Sequence, residues 1–496
     1  MNRVHIEFQR VQTWLFAVPR LRAMVGANAL LGKALRVDLP KLAREKEHGW
    51  ALAPSTEQYP AADKDDPLKD HDDPSADAKD GIFSRDGGHF EAQFEHGAEA
   101  FADAAELLLH TSLPGLRFRI SIDNKPRTRS QVHLSTELPV FAPCEWTGRG
   151  LASAIIEQGD ERPGVSLDVK QRHEAALGTE TGTAVDIASL LSAKTKLQKL
   201  GRAQELKDLV GNGYLAFIHA DGNGVGSGLG KDKTDWERAK FFHRNRVLMR
   251  RALQKAIDVH CPDTGRAPLV LLMLGGDDLL LVARAEIALP FVVTLCEELE
   301  ALQKNSSGFK LTLGVGVAIA KHTVPIHRLN MIAGQLASSA KRRFRGLPEG
   351  EEKRSVVDWD VSSTAWIDDP DEMRRRDWLR GSSNDLRVLS QRPIDVLGET
   401  RIDSLQGLLY GACKLTDTPR SQRRYLVEQL SRGHTLSELA FAELPQEMKG
   451  ALAEVGVKEP WRRVDNVWIT ALLDLVEITE IDQLGSGKEH KEVGHV

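Results

Sequence analysis

Two short stretches of this sequence set acidic residues beside glycine at the ends of apolar runs. One is Ala220-Asp221-Gly222-Asn223-Gly224, which follows the strand-like run 214–219. The other is Gly275-Gly276-Asp277-Asp278, held between the apolar runs 269–274 and 279–283, the layout of a β-hairpin tip. Gly275 and Gly276 reach backbone angles closed to other residues and leave room for a phosphate. Asp277 and Asp278 lead straight into an apolar strand, where an unpaired charge is costly. If the two turns end neighbouring strands, Asp221, Asp277 and Asp278 share one edge. Three carboxylates there suit hard divalent cations, Mg2+ or Mn2+, which take oxygen ligands and keep some water. Two such ions would activate an attacking hydroxyl and neutralise a departing pyrophosphate, the requirement of phosphoryl and nucleotidyl transfer. A lone Gly-Gly-Asp-Asp is usually a plain hairpin turn. The specificity comes from its pairing with the upstream Asp221 turn.

Lys341, in Ala340-Lys341-Arg342-Arg343, has two readings. It is a cation placed favourably near a helix C-terminus, or a ligand for a triphosphate.

The elements that must position these residues follow from periodicity. From Gly213 onward, short apolar strands (214–219, 269–274, 279–283, 311–320) alternate with helical spacing at 234–258, 286–303 and 326–344. Upstream, a strand-like start is followed by helical patterns near 12–16 and 21–35, and a helix at 98–110 precedes a strand at 116–122. Between residues 53 and 81 the composition turns to Asp, Lys, Pro and Ser, which predicts a mobile surface loop. Residues 141–210 read as a connector. After residue 363 strand signals stop, and helical spacing occupies 402–416, 420–432, 436–457 and 465–480. The polar tail from Gly485 is expected to fray.

Bulk properties narrow the class. The chain has 496 residues, so two to four domains are expected. A net charge of −5 excludes a globally positive field, so nucleic-acid contacts would need local basic patches. Arg374-Arg375-Arg376, Arg423-Arg424 and Arg462-Arg463 are such patches; runs of this kind are usually solvated faces, although Trp378 and Trp461 stand beside two of them. Cys144, Cys261, Cys296 and Cys413 lie far apart with no C-x-x-C pair, which argues against a disulfide framework and fits a reducing cytoplasm. No stretch has the length of a membrane span.

On these residues the chain resembles the large polymerase/cyclase subunit of type III CRISPR effector complexes, whose palm is shared with diguanylate cyclases. Strand–Asp221-Gly-Asn-Gly224, Leu274-Gly-Gly-Asp-Asp278, the strand 311–320 and the helix reaching Ala340-Lys341 resemble the family's second palm, in order and spacing. Phe8-Gln-Arg-Val-Gln-Thr-Trp-Leu-Phe16 and Leu21-Arg-Ala-Met-Val-Gly-Ala-Asn-Ala-Leu-Leu31 are similar to the opening of its first palm, where Gly87-Gly88-His89-Phe90 would be a degenerate turn without acids. The resemblance implies an α+β fold with α/β layers: a first, degenerate ferredoxin-like palm (1–140), the connector (141–210), a second, catalytic palm (211–362) and an all-helical C-terminal domain (363–496). It implies that ATP is converted to cyclic oligoadenylate when guide RNA pairs with target RNA, within a complex of guide RNA and protein effector subunits. Asp221, Asp277 and Asp278 would be the catalytic metal ligands and Lys341 a phosphate contact. Gly222, Asn223, Gly224, Gly275 and Gly276 would lie at the nucleotide, and Gly87 and Gly88 at a second one.

Three departures from the family pattern stand out. The palm-like segment starts at residue 4, where many members carry an HD nuclease domain, and the only nearby His-Asp pair, His71-Asp72, sits in the acidic loop; HD nuclease activity is not expected. Only Cys144 stands where relatives have a four-cysteine module, so no zinc is expected. Asn223 takes a position often held by an acid. The alternatives are a stand-alone diguanylate-type cyclase, or a non-catalytic ribonucleoprotein scaffold. Against the first, Asp278-Leu279 stands where that family has Glu-Phe. Against the second, three unpaired acids at one edge cost stability without a metal.

Overall fold

The computed structural model describes residues 1–485 except 46–47, 57–58, 128–141, 158–161, 230–232, 307, 349–351, 363–368, 382–384, 399–401 and 465. The tail after Gly485 lies outside the described residues. Near the N-terminus, β1 (Asn2–Gln9), α1 (Leu21–Lys33), β2 (Ile82–Ser84), β3 (His89–His96), α2 (Ala98–Ser112) and β4 (Arg117–Ile122) follow one another. β1 lies between β3 and β4, antiparallel to both, and β2 returns along β3. The plan repeats further on with β5 (Tyr214–Gly222), α3 (Asp235–His260), β6 (Leu269–Gly275), β7 (Asp278–Arg284), α4 (Ala285–Gln303) and β8 (Leu313–Lys321). Here β5 lies between β7 and β8, again antiparallel, and β6 pairs with β7. Strand, helix, hairpin, helix, strand, with the first strand central, is a ferredoxin-like palm, present twice. A helix, α5 (Ile326–Gly346), then leads to β9 (Val356–Val361), parallel to β8.

The two sheets differ in burial, and the sequence pattern shows why. β1 alternates, burying Val4, Ile6 and Phe8, because only one of its faces meets a core. β5 is apolar throughout because its sheet separates two cores. Ala216, Ile218 and Ala220 face one core, shared with the C-terminal helices. Leu215 and Phe217 face the other, which belongs to the first palm. Phe16 meets Phe217 edge-on across that boundary, with ring centroids 5.5 Å apart.

Among its described residues, the segment 53–81 is anchored to the rest of the fold at several buried positions, unlike the mobile loop its composition predicts. Asp66 and Asp72 are buried and converge on Arg250 of α3, at 2.6 and 2.7 Å. Burial pushes the Asp72 carboxyl up, but Arg246, His243 and Arg250 together hold it well below the usual carboxylate range. The neighbouring His71 carbonyl accepts from Arg36, which also pairs with Asp86 at 2.7 Å. Breaking a buried pair of this kind costs about 3–5 kcal/mol. The loop is therefore a strut between the palms, held by partners that composition alone does not reveal.

The C-terminal part also departs from the all-helical expectation. Its helices Leu405–Leu415, Arg420–Arg432, His434–Ala442, Gln446–Glu454 and Leu472–Gly485 are joined by a four-stranded sheet made of Leu379–Arg380, Leu386–Val388, Arg462–Val464 and Val467–Ile469. Strands of two or three residues carry no periodic signal, and 386–388 pairs with 467–469, far along the chain. Most arginines of the three clusters are exposed, but Arg374 and Arg423 are internal braces. Arg374 grips buried Asp358 with two bonds of 2.5 and 2.6 Å, Arg423 is buried against the carbonyls of Leu415 and Thr418, and Arg462 pairs with Asp403. No helix among the described residues is long and apolar enough to cross a membrane.

One partly buried charge here gives a stability prediction. Glu477 receives Trp359 Nε1 at 2.9 Å and pairs with Arg392 at 2.6 Å. Burial pushes its carboxyl up to about 7, against the pull of Arg392. A folded chain that holds this proton more tightly than the unfolded chain is most stable below the ordinary value of 4.5, and loses that stability as pH rises towards about 7. Glu477→Gln keeps an acceptor without the charge. It is expected to raise the melting temperature at pH 8, leave it little changed at pH 5, and so flatten the pH profile in thermal unfolding.

Candidate active site

The register of the second sheet brings the two acidic turns together. Leu279 stands opposite Ala220, so continuing the ladder by one residue sets Asp278 across from Asp221. Both acids share the strand face of Leu280 and Phe217, which looks towards the first palm. Asp277 lies at the same strand end, packed over Gly222 from the hairpin tip: a Cβ on Gly222 would lie 2.3 Å from Asp277 Oδ2 and 2.9 Å from its Cβ. Glycine at 222 is thus what lets the tip reach strand β5. Gly276 turns the hairpin at φ 68°, a left-handed angle that glycine adopts without strain.

The charges at this edge are unbalanced. Lys341, on α5, places its Nζ on Asp221 Oδ2. His219 Nε2 stands 3.3 Å from Asp278 Oδ1, yet that oxygen is buried and receives no hydrogen bond. The Asp277 carboxyl is pushed up by burial and then by Asp221 and Asp278, with Lys341 opposing. Three carboxylates served by one lysine leave room for further positive charge, and oxygen donors are what Mg2+ and Mn2+ take. Among the described residues no three acidic, histidine or cysteine side chains are already gathered around one point. The lysine holds Asp221 aside, and a cation would have to compete for it.

Of the remaining expected residues, Asn223 is buried, with its backbone N–H on the Thr312 carbonyl and its amide 3.3 Å from Thr312 Oγ1. Its Oδ1 has no partner. Gly224 turns at φ 65°. Gly87 and Gly88, between β2 and β3, form the matching tip of the first palm, and a Cβ on Gly275 would come within 3.8 Å of Gly87 Cα. The two glycine tips therefore face each other. A cavity of about 540 Å³ opens on one side of them, lined by Arg10, Asn28, Asp86, Asp186, Gly275 and Asp277 among others. A second, of about 490 Å³, opens on the other side and also reaches Gly87, Gly276 and Asp277. Both are of the size that small-molecule ligands fill.

His219 was not singled out in the sequence. Its signal was present, because a polar residue two positions before Asp221 on an otherwise apolar strand must share that acid's face. The Arg36–Asp86 pair behind the first tip, by contrast, joins residues with no local pattern.

Residues 214–346 match the family model described as Cas10/Cmr2, second palm domain. The match runs from the first residue of β5 to the last of α5. No curated protein matches the chain significantly. Among solved structures, an apo Csm1–Csm4 cassette is 13% identical, with 96% of this chain and 70% of that chain covered and a TM-score of 0.45. A Csm1–Csm4 cassette in complex with cA4 is 12% identical (97% and 69% covered, TM-score 0.45). Csm1 from T. onnurineus is 13% identical (96% and 69% covered, TM-score 0.41). Residues 214–346 of this chain are thus similar to the second palm domain of Cas10/Cmr2 proteins.

Proposed function

We propose that this chain is an RNA-activated nucleotidyltransferase that joins ATP into cyclic oligoadenylates as the large subunit of a type III CRISPR antiviral complex. The observation that supports this reading is the strand register that sets Asp278 across from Asp221, with Asp277 at the adjoining hairpin tip, opposite a second glycine tip and beside two cavities of small-molecule size. In this reading the three aspartates hold two Mg2+ or Mn2+ ions, which would supply charge neutralisation and an activated hydroxyl. Lys341, which now holds Asp221, turns to the triphosphate. Gly275 and Gly276 let the phosphates come close to backbone N–H groups, while Gly222, Asn223 and Gly224 shape the turn beneath. Gly87 and Gly88 face a second ATP, so that one nucleotide's hydroxyl meets the other's α-phosphate. Guide RNA, target RNA and the small effector subunits are the partners that would switch the cleft on.

The test incubates the chain, alone and assembled with guide and target RNA, with ATP and Mg2+ or Mn2+, followed by chromatography and mass analysis of products. Cyclic oligoadenylate appearing only with target RNA is expected. Cyclic dinucleotide from GTP would favour a stand-alone cyclase instead, and no product under any condition would leave a scaffold.

A further inference from the structure

The glycine tip of the first palm cannot anchor itself. Gly87 and Gly88 turn at φ 63° and 79°, and a Cβ on either would meet nothing within 4 Å. Glycine keeps the most backbone freedom of any residue, so the place of this tip relative to Gly275 must be set by the residues beside it. On one side, the Phe8 N–H donates to the Gly88 carbonyl at 2.8 Å. On the other, Arg85 and Asp86 lead into the turn, and both are tied to the segment 53–81. Arg85 reaches Asp77 at 2.7 Å and the His71 carbonyl at 3.4 Å. Asp86 accepts from Arg36 at 2.7 Å, and the same guanidinium donates to the His71 carbonyl.

From His71 the line of contacts runs on into the second palm. The Asp72 carboxylate takes a two-pronged grip from Arg246 of α3, at 3.1 and 3.2 Å. It takes a further bond of 2.7 Å from Arg250, which also donates to Asp66 at 2.6 Å. Arg36, Asp66, Asp72 and Arg250 are all buried. Buried ion pairs add little net stability over apolar residues of the same size. What they supply is register, because a guanidinium fork accepts a carboxylate in one orientation. The dipeptide His71-Asp72 thus engages arginines of both palms, and one continuous line of polar contacts joins α3 to the residue before Gly87.

We propose that Asp72 is a positioning residue. Through Arg246 and Arg250 on one side, and through the adjoining His71 carbonyl, Arg36 and Asp86 on the other, it fixes the Gly87–Gly88 tip opposite Gly275. The arrangement leaves the tip bare for a ligand's approach and still confines it to one position. That this position matters for joining two nucleotides rests on the reading above; that the line of contacts holds the tip does not.

Hydrogen exchange of the metal-free full chain, read by mass spectrometry, tests the holding role, and ATP turnover tests its consequence. Asp72→Asn is expected to speed amide exchange over 85–89 by at least ~10-fold, since a segment opens locally when the contacts that close it are lost. Residues 117–122, in β4 on the other side of β1, should exchange as in the wild type. kcat should fall by about 10²-fold, the cost of a displacement of about 1 Å. The rise in melting temperature that Mg2+ brings should keep its wild-type size, because Asp221, Asp277 and Asp278 are untouched. Asp86→Asn cuts the same line at its outer end and should act alike; it decides the matter if Asp72→Asn does not fold. Asp65→Asn, in the same segment but exposed and paired with Arg251 at 3.7 Å, should leave exchange and turnover unchanged. Faster exchange confined to 60–80, or spread evenly over the chain, would make Asp72 a purely structural residue and overturn the proposal. So would a loosened tip with unchanged kcat. A loosened tip in a chain whose wild type makes no product would keep Asp72 as the holder of the tip while rejecting the synthase reading.

Discussion

Asp277→Ala combined with Asp278→Ala will lower ATP turnover by at least ~10³-fold, because metal-held charge stabilisation contributes several kcal/mol to such reactions. The folded chain should not suffer. Asp277 is pushed towards its protonated form by burial and by Asp221, which means that its charge is a cost to the metal-free protein. Removing it relieves repulsion at the edge, and the metal-free double variant should melt at or above the wild-type temperature. Mg2+ or Mn2+ should raise the melting temperature of the wild type, since a ligand bound only by the folded state stabilises it. It should not raise that of the variant. Turnover, thermal unfolding with and without metal, and assembly with partner subunits together check this outcome. Normal turnover in the double variant would show that the site lies elsewhere.

Gly222→Ala is the second large effect, and it adds only one methyl group. That Cβ would fall 2.3 Å from Asp277 Oδ2 and 2.6 Å from Val225 Cγ2, so the hairpin tip or the following turn must move. Displacing a reacting group by about 1 Å can cost 10²-fold, and a loss of about that size is expected in kcat. Overpacking should take about 1–3 kcal/mol from stability. Gly226→Ala is the matched control, because a Cβ there meets nothing within 4 Å; it should leave both quantities near wild type. Equal behaviour of the two variants would mean that the tip does not depend on glycine at 222.

The helical and strand periods from Tyr214 to Gly346, and the two acid–glycine turns, were readable from the chain because each is a local signal. A continuous apolar run forms β5 because it is buried on both faces, and Gly-Gly-Asp-Asp makes a turn wherever it stands between two strands. The first palm at the N-terminus was expected only from the resemblance of its motifs to a known family, not from local periodicity. What locality could not supply was partnership. Asp66 and Asp72 look like solvated loop residues until Arg250 is brought to them from nearly two hundred positions away. Arg374 and Arg423 look like surface charge until the fold supplies Asp358 and the carbonyls of a helix end. Asn245 sits in an ordinary amphipathic helix, and only the approach of the first palm turns its amide into an unpaired group beside a cavity. Covalent order therefore determined which residues could do the chemistry. The tertiary fold decided which of them meet, because a charge or an amide takes its energy from the neighbours that surround it, and those neighbours are chosen in three dimensions.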